Sequence, residues 1–198
     1  MSTPNKKIEI IAAALKVFST HGYNGASLSA IAKLANTNKQ LITHHFGSKQ
    51  NLWQETVDYE LKDGIELLLS IKETDTLHGP EAALRQFIDG YVKWISNKNA
   101  THRLMMLENQ VDSPRLEWFQ TQHVLPSAKL VMRLIKRCQK LGCVKDGDCG
   151  RLYFTLLHLP IAPLIGARQY ESFVGCKPFA PSELDYHQQT MLDFLGIQ

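Results

Sequence analysis

Residues 27–52, SLSAIAKLANTNKQLITHHFGSKQNL, predict two short helices joined by a three-residue turn. From Leu28 onward, apolar side chains recur at the i, i+3, i+4 and i+7 spacing that is typical of a helix with one buried face. Asn36 follows where that helix must end, and asparagine is, after glycine, the residue that most readily adopts the left-handed backbone. In the second half, Ile42 and Phe46 lie one helical turn apart and face inward. The stretch therefore predicts a helix-turn-helix.

The second of these helices has a polar outer face. Ser27 and Asn38 are suitable N-caps for the two helices, because their side-chain oxygens can accept hydrogen bonds from free backbone N–H groups. The side chains that point outward can donate and accept hydrogen bonds, as readout of base edges in the DNA major groove requires. These side chains are Lys39, Gln40, Thr43 and His44.

Charge is distributed unevenly along the chain. Residues 1–52 contain six lysines and a single acidic residue, Glu9, which gives a net charge of +5. The whole chain carries a net charge of only +3, so the rest is slightly acidic. This asymmetry favours a polyanionic partner for the N-terminal part alone.

The N-terminal part resembles the DNA-binding domain of the TetR family of transcriptional regulators. The resemblance covers about a quarter of the chain, and its motifs are specific as an ordered set rather than singly. The set consists of KKIEIIAAALKVF at residues 6–18, His21-Gly22-Tyr23, Ser27-Leu28, Ile31-Ala32, His45-Phe46-Gly47-Ser48-Lys49 and Leu52.

The resemblance implies roles for individual residues. Asn38, which caps the recognition helix, is counted among the DNA-binding residues, and the four outward side chains read base edges or adjacent phosphates. A second group, Ser27, Ser29, His45 and Lys49, contacts phosphates. The chain departs from the family pattern in its turn, where Asn36-Thr37-Asn38 replaces the usual Gly-Val-Ser. It also lacks the usual tyrosine at the positions of Thr43, His44 and His45.

Helical patterns continue through the remaining sequence, and no stretch shows convincing strand alternation. The predicted fold class is therefore all-α, with an N-terminal helix-turn-helix DNA-binding domain of three helices at residues 1–50. Residues 51–198 are predicted to form a larger helical domain for effector binding and dimerisation.

Three local predictions concern helix ends and register. Thr3 and Pro4 are expected to open the first helix. The sequence His78-Gly79-Pro80 should break the long helix that starts near Ser48. Ser182, with Asp185 three residues later, resembles a capping box for the last helix. The stripe of the first helix predicted to be buried is Ile8, Ile11, Ala12, Leu15 and Phe18.

An apolar segment near the C-terminus predicts an interface. The helix expected from about residue 150 to residue 170 is hydrophobic on all sides between Leu152 and Ile165, so it must be covered on all sides. The cover could come from the same chain or from a partner subunit. The family resemblance favours a two-fold homodimer joined through this helix and the last one, roughly residues 182–195. Pro160 and Pro163 should distort the helix.

No catalytic or metal-binding pattern is recognisable in the sequence. The histidines show neither a His-x-x-x-His nor a Glu-x-x-His spacing, and the glycine-rich and nucleophile motifs of common enzymes are absent. We therefore predict no enzymatic activity, no cofactor and no metal. Aromatic and methionine side chains of the body could instead line a pocket for an apolar or aromatic effector. The candidates are Tyr91, Trp94, Met105, Trp118, Phe119, Tyr153, Phe154 and His158.

The sequence has no membrane-length apolar run and no signal-peptide pattern at its start, so we expect a cytoplasmic protein. The four cysteines lack Cys-x-x-Cys spacing, so we expect structural thiols, with a redox or metal-binding role as the alternative.

Taken with the resemblance, these patterns predict a homodimeric regulator that binds a palindromic operator in double-stranded DNA. It is most simply a repressor released by a small molecule. The alternatives are an all-α metabolite-binding protein or enzyme with a vestigial DNA-binding domain, and a pure protein-interaction module.

Overall fold

A computed structural model describes residues 4–197, with side chains from residue 6 onward. This part of the chain is helical and contains no strand, which confirms the all-α prediction. A π-helical turn, Gln120–Val124, separates two of the helices. The α-helices are α1 Pro4–Gly25, α2 Leu28–Leu34, α3 Lys39–Phe46, α4 Lys49–Asn97, α5 Asn99–Glu108, α6 Pro114–Phe119, α7 Leu125–Leu141, α8 Cys149–His158, α9 Ile161–Ile165, α10 Ala167–Val174 and α11 Pro181–Leu195.

The chain divides into two compact units. The first unit contains the residues up to Lys62 together with Lys98–Trp118. The second contains Asp63–Asn97 and the residues from Phe119 onward. The first unit thus combines α1–α3 and the start of α4 with α5 and most of α6.

Helix α1 begins at Pro4, as predicted, and Thr3 lies outside the described residues. Gly22, at φ 66°, kinks its last turn. The predicted register of its buried stripe is wrong: Ile8 is 44% exposed, and Ala12 faces solvent. Residues 8–15 are apolar at almost every position, so several registers fit the periodicity equally well. The side chains that form the core are Ile10, Ile11, Ala13, Ala14, Val17 and Phe18.

The turn between α2 and α3 adopts the predicted left-handed conformation. Asn36 has φ 47°, the only positive φ outside glycine in the described chain. Around it, Thr37 N–H donates to the Ala32 carbonyl at 2.9 Å, and Asn36 N–H donates to the Lys33 carbonyl at 3.3 Å. This pair of bonds is a Schellman motif, which satisfies the free carbonyls at the end of α2.

Two buried carboxylates, Glu60 and Glu108, accept contacts from polar side chains of residues 98–118. Glu60, on α4, accepts hydrogen bonds from Thr101 Oγ1 at 2.8 Å and from Lys98 Nζ at 3.3 Å. Glu108 accepts from Ser113 Oγ at 2.6 Å and lies 3.1 Å from Arg115 Nη2. Because burying a carboxylate is unfavourable without partners, Glu60 holds the start of α5 against α4, and Glu108 holds the start of α6 against the end of α5.

In the second unit, α4 passes through the predicted break, where Gly79 has φ 86° ahead of Pro80. Helix α7 contributes a row of buried side chains to the core and packs against α8, which in turn packs against α11. Its fully or nearly fully buried side chains are Ala128, Leu130, Val131, Leu134, Ile135 and Cys138.

The helix expected at residues 150–170 is instead divided into α8, α9 and α10. Pro160 and Pro163 lack N–H donors, so the helix cannot continue through them undisturbed. At the end of α8, Tyr91 Oη donates a hydrogen bond to the Leu157 carbonyl at 3.1 Å. The break thus receives a tertiary hydrogen bond that an unbroken helix would not need.

The capping box predicted for the last helix is not formed. Helix α11 starts at Pro181, after Ala180, and has no side-chain cap. Proline takes the first helical turn readily because its fixed φ suits the helix and no N–H is required there. Ser182 therefore already lies inside the helix. Within residues 4–197, no helix is long and apolar enough to cross a membrane.

The left-handed turn generates a stability prediction. Replacing Asn36 with Val should lower the free energy of unfolding by about 1–2 kcal/mol, because a side chain branched at Cβ is strongly disfavoured at positive φ. Asn36→Gly should be neutral or slightly stabilising, since glycine adopts this conformation most readily. Urea unfolding of both variants measures the difference.

The control is Asn109→Val, at an exposed asparagine whose φ is −65°. This change should cost much less than Asn36→Val. Equal losses at the two positions would show that the left-handed backbone is not the source of the effect.

Candidate nucleic-acid interface

Helix α3 has one buried and one exposed face. Ile42 is 1% exposed and Phe46 is 3% exposed, so both anchor the helix in the first unit. Lys39, Gln40, Thr43 and His44 are all exposed, as the sequence predicted. The structure therefore places a lysine, an amide, a hydroxyl and an imidazole on one solvent-facing surface. These groups can contact base edges and phosphates.

Side-chain caps fix the start of each helix around this surface, which confirms the two predicted N-caps. Ser27 Oγ accepts from Ala30 N–H at 3.1 Å, and Asn38 Oδ1 accepts from Leu41 N–H at 2.8 Å. Ser48 does the same for α4, accepting from Asn51 N–H at 3.0 Å. Since these oxygens already accept bonds within the protein, Ser27 and Asn38 position their helices. The hydroxyl hydrogen of Ser27 can still be donated.

The remaining residues predicted to contact DNA occupy different environments. Ser29 is exposed in the first turn of α2. His45 is half-buried, and its ring lies 5.5 Å from the ring of His44 and 6.0 Å from that of Phe46. His45 is thus partly engaged in packing, whereas Ser29 faces solvent freely.

Lys49 lies at the start of α4 and is engaged with an aromatic ring. Its Nζ atom is 4.4 Å from the centroid of the Tyr23 ring, and the Arg115 guanidinium carbon is 3.7 Å from the same centroid. Both contacts are cation–π interactions. Partial burial, and secondly the positive charge of Arg115, lower the pKa of Lys49. The Tyr23 ring in turn stacks on the Phe18 ring, and their centroids lie 6.0 Å apart.

Sequence reasoning did not find Arg115 and Glu108. They are far from Lys49 in the chain, and no motif marks them. The structure brings them to the edge of the helix-turn-helix through the Tyr23 contact. A lone arginine beside a proline carries no signal that could have revealed this position.

Two N-terminal lysines make contacts within the protein. Lys6 Nζ donates to the Ala35 carbonyl at the end of α2, at 2.8 Å, where a positive charge is favourable. Lys7 Nζ lies 2.6 Å from Glu55 Oε2. Lys33 and Lys39 remain exposed on α2 and α3. The local charge available to a polyanion is thus smaller than the count over residues 1–52 implies.

The predicted effector residues fall in both units. Met105 and Trp118 belong to the first unit, and the other six belong to the second. In the second unit, the Tyr91 ring stacks on the rings of Phe87 and Trp94, with centroid distances of 5.7 Å and 6.2 Å. Phe119 and Tyr153 are buried in this unit.

The last two effector candidates lie on the surface of α8. Phe154 is 64% exposed, and its ring stacks on that of His158 at 4.1 Å. Neither of two open clefts, of about 520 Å³ and about 500 Å³, is lined by any of the eight candidates.

In the part of the chain that the structure describes, no group of three or more His, Cys, Asp or Glu residues could hold a metal ion.

Residues 10–56 match the model of a family described as bacterial regulatory proteins, tetR family. The HTH-type transcriptional repressor NicS of Pseudomonas putida is 34% identical over 90 residues, which are 42% of this chain and 41% of NicS. The HTH-type transcriptional repressor AcnR of Corynebacterium jeikeium is 31% identical over 62 residues, 31% of this chain and 33% of AcnR. The chain thus aligns with less than half the length of either relative.

Solved structures resemble the chain over its whole length. A regulatory protein of the tetR family from Rhodococcus has a TM-score of 0.74 at 20% identity, covering 99% of this chain and 100% of that one. The TetR-family transcriptional regulator PfmR from Thermus thermophilus has a TM-score of 0.73 at 18% identity, covering 100% and 98%. At these identities, the similarity establishes a common fold.

The buried Glu108–Arg115 pair generates a second stability prediction. Arg115→Ala should lower the free energy of unfolding by about 3 kcal/mol, because it leaves Glu108, 4% exposed, without its cation. Adding Glu108→Gln to Arg115→Ala should recover part of the loss. Urea unfolding of the single and double variants measures both terms.

Arg85→Ala is the matched control, since Arg85 pairs with Glu81 in a more exposed i, i+4 arrangement. Arg85→Ala should lower the free energy of unfolding by about 0.5 kcal/mol. If the two arginine variants lose the same free energy of unfolding, the buried Glu108–Arg115 pair stabilises the fold no more than the exposed pair does.

Proposed function

Because the N-terminal segment of this chain belongs to the TetR family of bacterial regulatory proteins, we propose that the protein is a DNA-binding transcriptional regulator. It is a repressor, as NicS and AcnR are named, and a small-molecule effector releases it from a palindromic operator. The observation that carries the proposal is the exposed polar face of α3, held by the buried Ile42 and Phe46.

The residues of this surface divide by role. Lys39, Gln40, Thr43 and His44 project from α3, and they read base edges or adjacent phosphates. Ser27, Ser29 and Lys49 lie outside α3, His45 lies in its last turn, and all four contact phosphates. Phosphate contacts set the orientation of the helix without reading sequence. Asn38 supports both groups by capping α3.

A homodimer accounts for the apolar side chains exposed near the C-terminus. Phe154, Ile165, Phe173 and Tyr186 are between 60% and 83% exposed, and they belong to α8–α11. Large apolar groups clustered in one region of sequence are typical of a subunit interface. Two recognition helices in such a dimer bind the two half-sites of a palindrome.

Effector binding belongs to residues 51–198 in this proposal, and residues 1–50 bind DNA. The polar face of α3 lies entirely before residue 50, whereas the compact unit that contains α3 continues along α4 to Lys62 and includes Lys98–Trp118. The aromatic stack of Phe87, Tyr91 and Trp94 favours an apolar or aromatic effector.

The competing proposals are an all-α enzyme or metabolite-binding protein with a vestigial N-terminal domain, and a protein-interaction module. Neither requires binding to DNA that weakens as salt is added, so DNA binding and its salt dependence separate the three classes.

The test is the affinity of the full chain for genomic duplexes from upstream of its own reading frame, measured as a function of salt. Log affinity should fall linearly with log salt, and Lys49→Ala should reduce the slope by about one unit per subunit. Gln40→Ala should instead reduce discrimination between bases at particular base pairs. The expected loss is about 1–3 kcal/mol of the binding free-energy difference between the preferred base and the others.

Lys140→Ala is the control, since Lys140 is exposed on α7 in the second unit. It should leave both slope and preference unchanged. The proposal fails if no duplex binds in preference to random DNA. The division of roles fails if Lys49→Ala and Gln40→Ala weaken specific and random DNA alike.

A further inference from the structure

The end of α7 brings two cysteines together. Cys143 N–H donates to the Cys138 carbonyl at 3.0 Å, and Gly142 N–H donates to the Gln139 carbonyl at 3.0 Å. Gly142, at φ 74°, lies between these partners in the left-handed conformation. This is a Schellman motif, in which the side chains at the two ends of the longer hydrogen bond normally pack together. Here both of those side chains are thiols.

The two thiols differ in access to solvent. Cys138 is fully buried in the core of the second unit, whereas Cys143 is partly exposed. Cys143 Sγ lies 3.3 Å from the Cys138 carbonyl oxygen, to which it donates a hydrogen bond. Burial, and secondly the hydrogen bond with the Cys143 thiol, raise the pKa of the Cys138 thiol above its ordinary value. A dissolved oxidant therefore meets Cys143 first.

The loop after α7 is anchored so that Cys143 stays beside Cys138. The side-chain amide of Gln139 donates to the carbonyls of Lys145 and Gly147, at 3.0 Å and 2.9 Å. Lys145 N–H donates to the Leu195 carbonyl at 2.9 Å, and Val144 is buried.

The other two cysteines have different partners. Cys149 Sγ donates to Gln139 Oε1 at 3.4 Å. Cys176 contacts Glu183, and its thiol contributes to lowering the pKa of that carboxyl after the larger effect of Tyr170. The geometry therefore distinguishes one pair among the four thiols.

We propose that Cys138 and Cys143 form a reversible dithiol–disulfide pair that reacts with peroxides. The Cys143 sulfur attacks a peroxide oxygen, so that the O–O bond breaks and a sulfenic acid forms as the peroxide is reduced. Cys138 then gives up its proton as its sulfur attacks the Cys143 sulfur, so that the S–S bond forms, the S–O bond breaks, and the hydroxyl leaves as water with that proton. For hydrogen peroxide, two thiols and one peroxide yield one disulfide and two waters. The pair is independent of the function proposed above.

The four cysteines lie in four different tryptic peptides, which makes the pairing directly measurable. Cleavage after lysine and arginine places Cys138 in residues 138–140, Cys143 in residues 141–145 and Cys149 in residues 146–151. The folded full-length chain is treated with hydrogen peroxide, quenched, alkylated under denaturing conditions and digested without reduction. Mass spectrometry should show peptide 138–140 linked to peptide 141–145, and a thiol reductant should abolish the link.

Two variants serve as controls. Cys149→Ser should retain the linked peptide, and Cys143→Ser should lose it while Cys138 stays reduced. The proposal is overturned if peroxide converts Cys143 to sulfinic or sulfonic acid without a link. It is equally overturned if Cys143 pairs with Cys149 or between chains, or if all four thiols stay reduced in the wild type.

Discussion

The left-handed backbone at Asn36 determines where α3 lies. Its φ of 47° lets the chain reverse direction within three residues, and two hydrogen bonds close the end of α2 around it. The cap at Asn38 then starts α3 at once. If residue 36 adopted a helical or extended conformation, the buried and exposed faces of α3 would both be displaced. The polar surface used in the proposed function therefore depends on one backbone conformation.

A second layer of interactions surrounds this motif and involves residues that are not part of it. Lys6 caps the end of α2 through the Ala35 carbonyl, and Arg115 packs on Tyr23 beside Lys49. Basic side chains here serve structure as well as surface charge. Consequently, the charge asymmetry of the sequence indicates a candidate region for contact with a polyanion, but it does not identify which lysines are available for that contact.

Much of the fold and of the candidate interface could be predicted from local patterns. The caps at Ser27 and Asn38, the turn at Asn36 and the outward face of α3 each depend on a few neighbouring residues, so short-range rules suffice. The register of α1 did not follow, because an almost continuous apolar run leaves several stripes equally plausible. Placing Ile8 inside was wrong for that reason.

Features that depend on contacts between distant residues could not be predicted from sequence patterns. The position of Arg115 depends on Glu108 and Tyr23, and the hydrogen bond at the end of α8 comes from Tyr91, 66 residues earlier in the chain. A proline pair indicates that a helix will be disturbed, but not that it will divide into α8, α9 and α10. The start of α11 was also mispredicted. The helix begins at Pro181, so Ser182 lies inside it and does not act as its cap.

The central claim is that the exposed face of α3 contacts DNA. Site-specific photo-cross-linking tests it most directly, with a photoreactive amino acid placed at Gln40 or, for comparison, at Leu141, which is 68% exposed at the end of α7. The account predicts a covalent adduct between the chain and a bound genomic duplex from position 40 and none from position 141. Equal adduct formation at both positions, or none at position 40 under conditions where the duplex is bound, would contradict it.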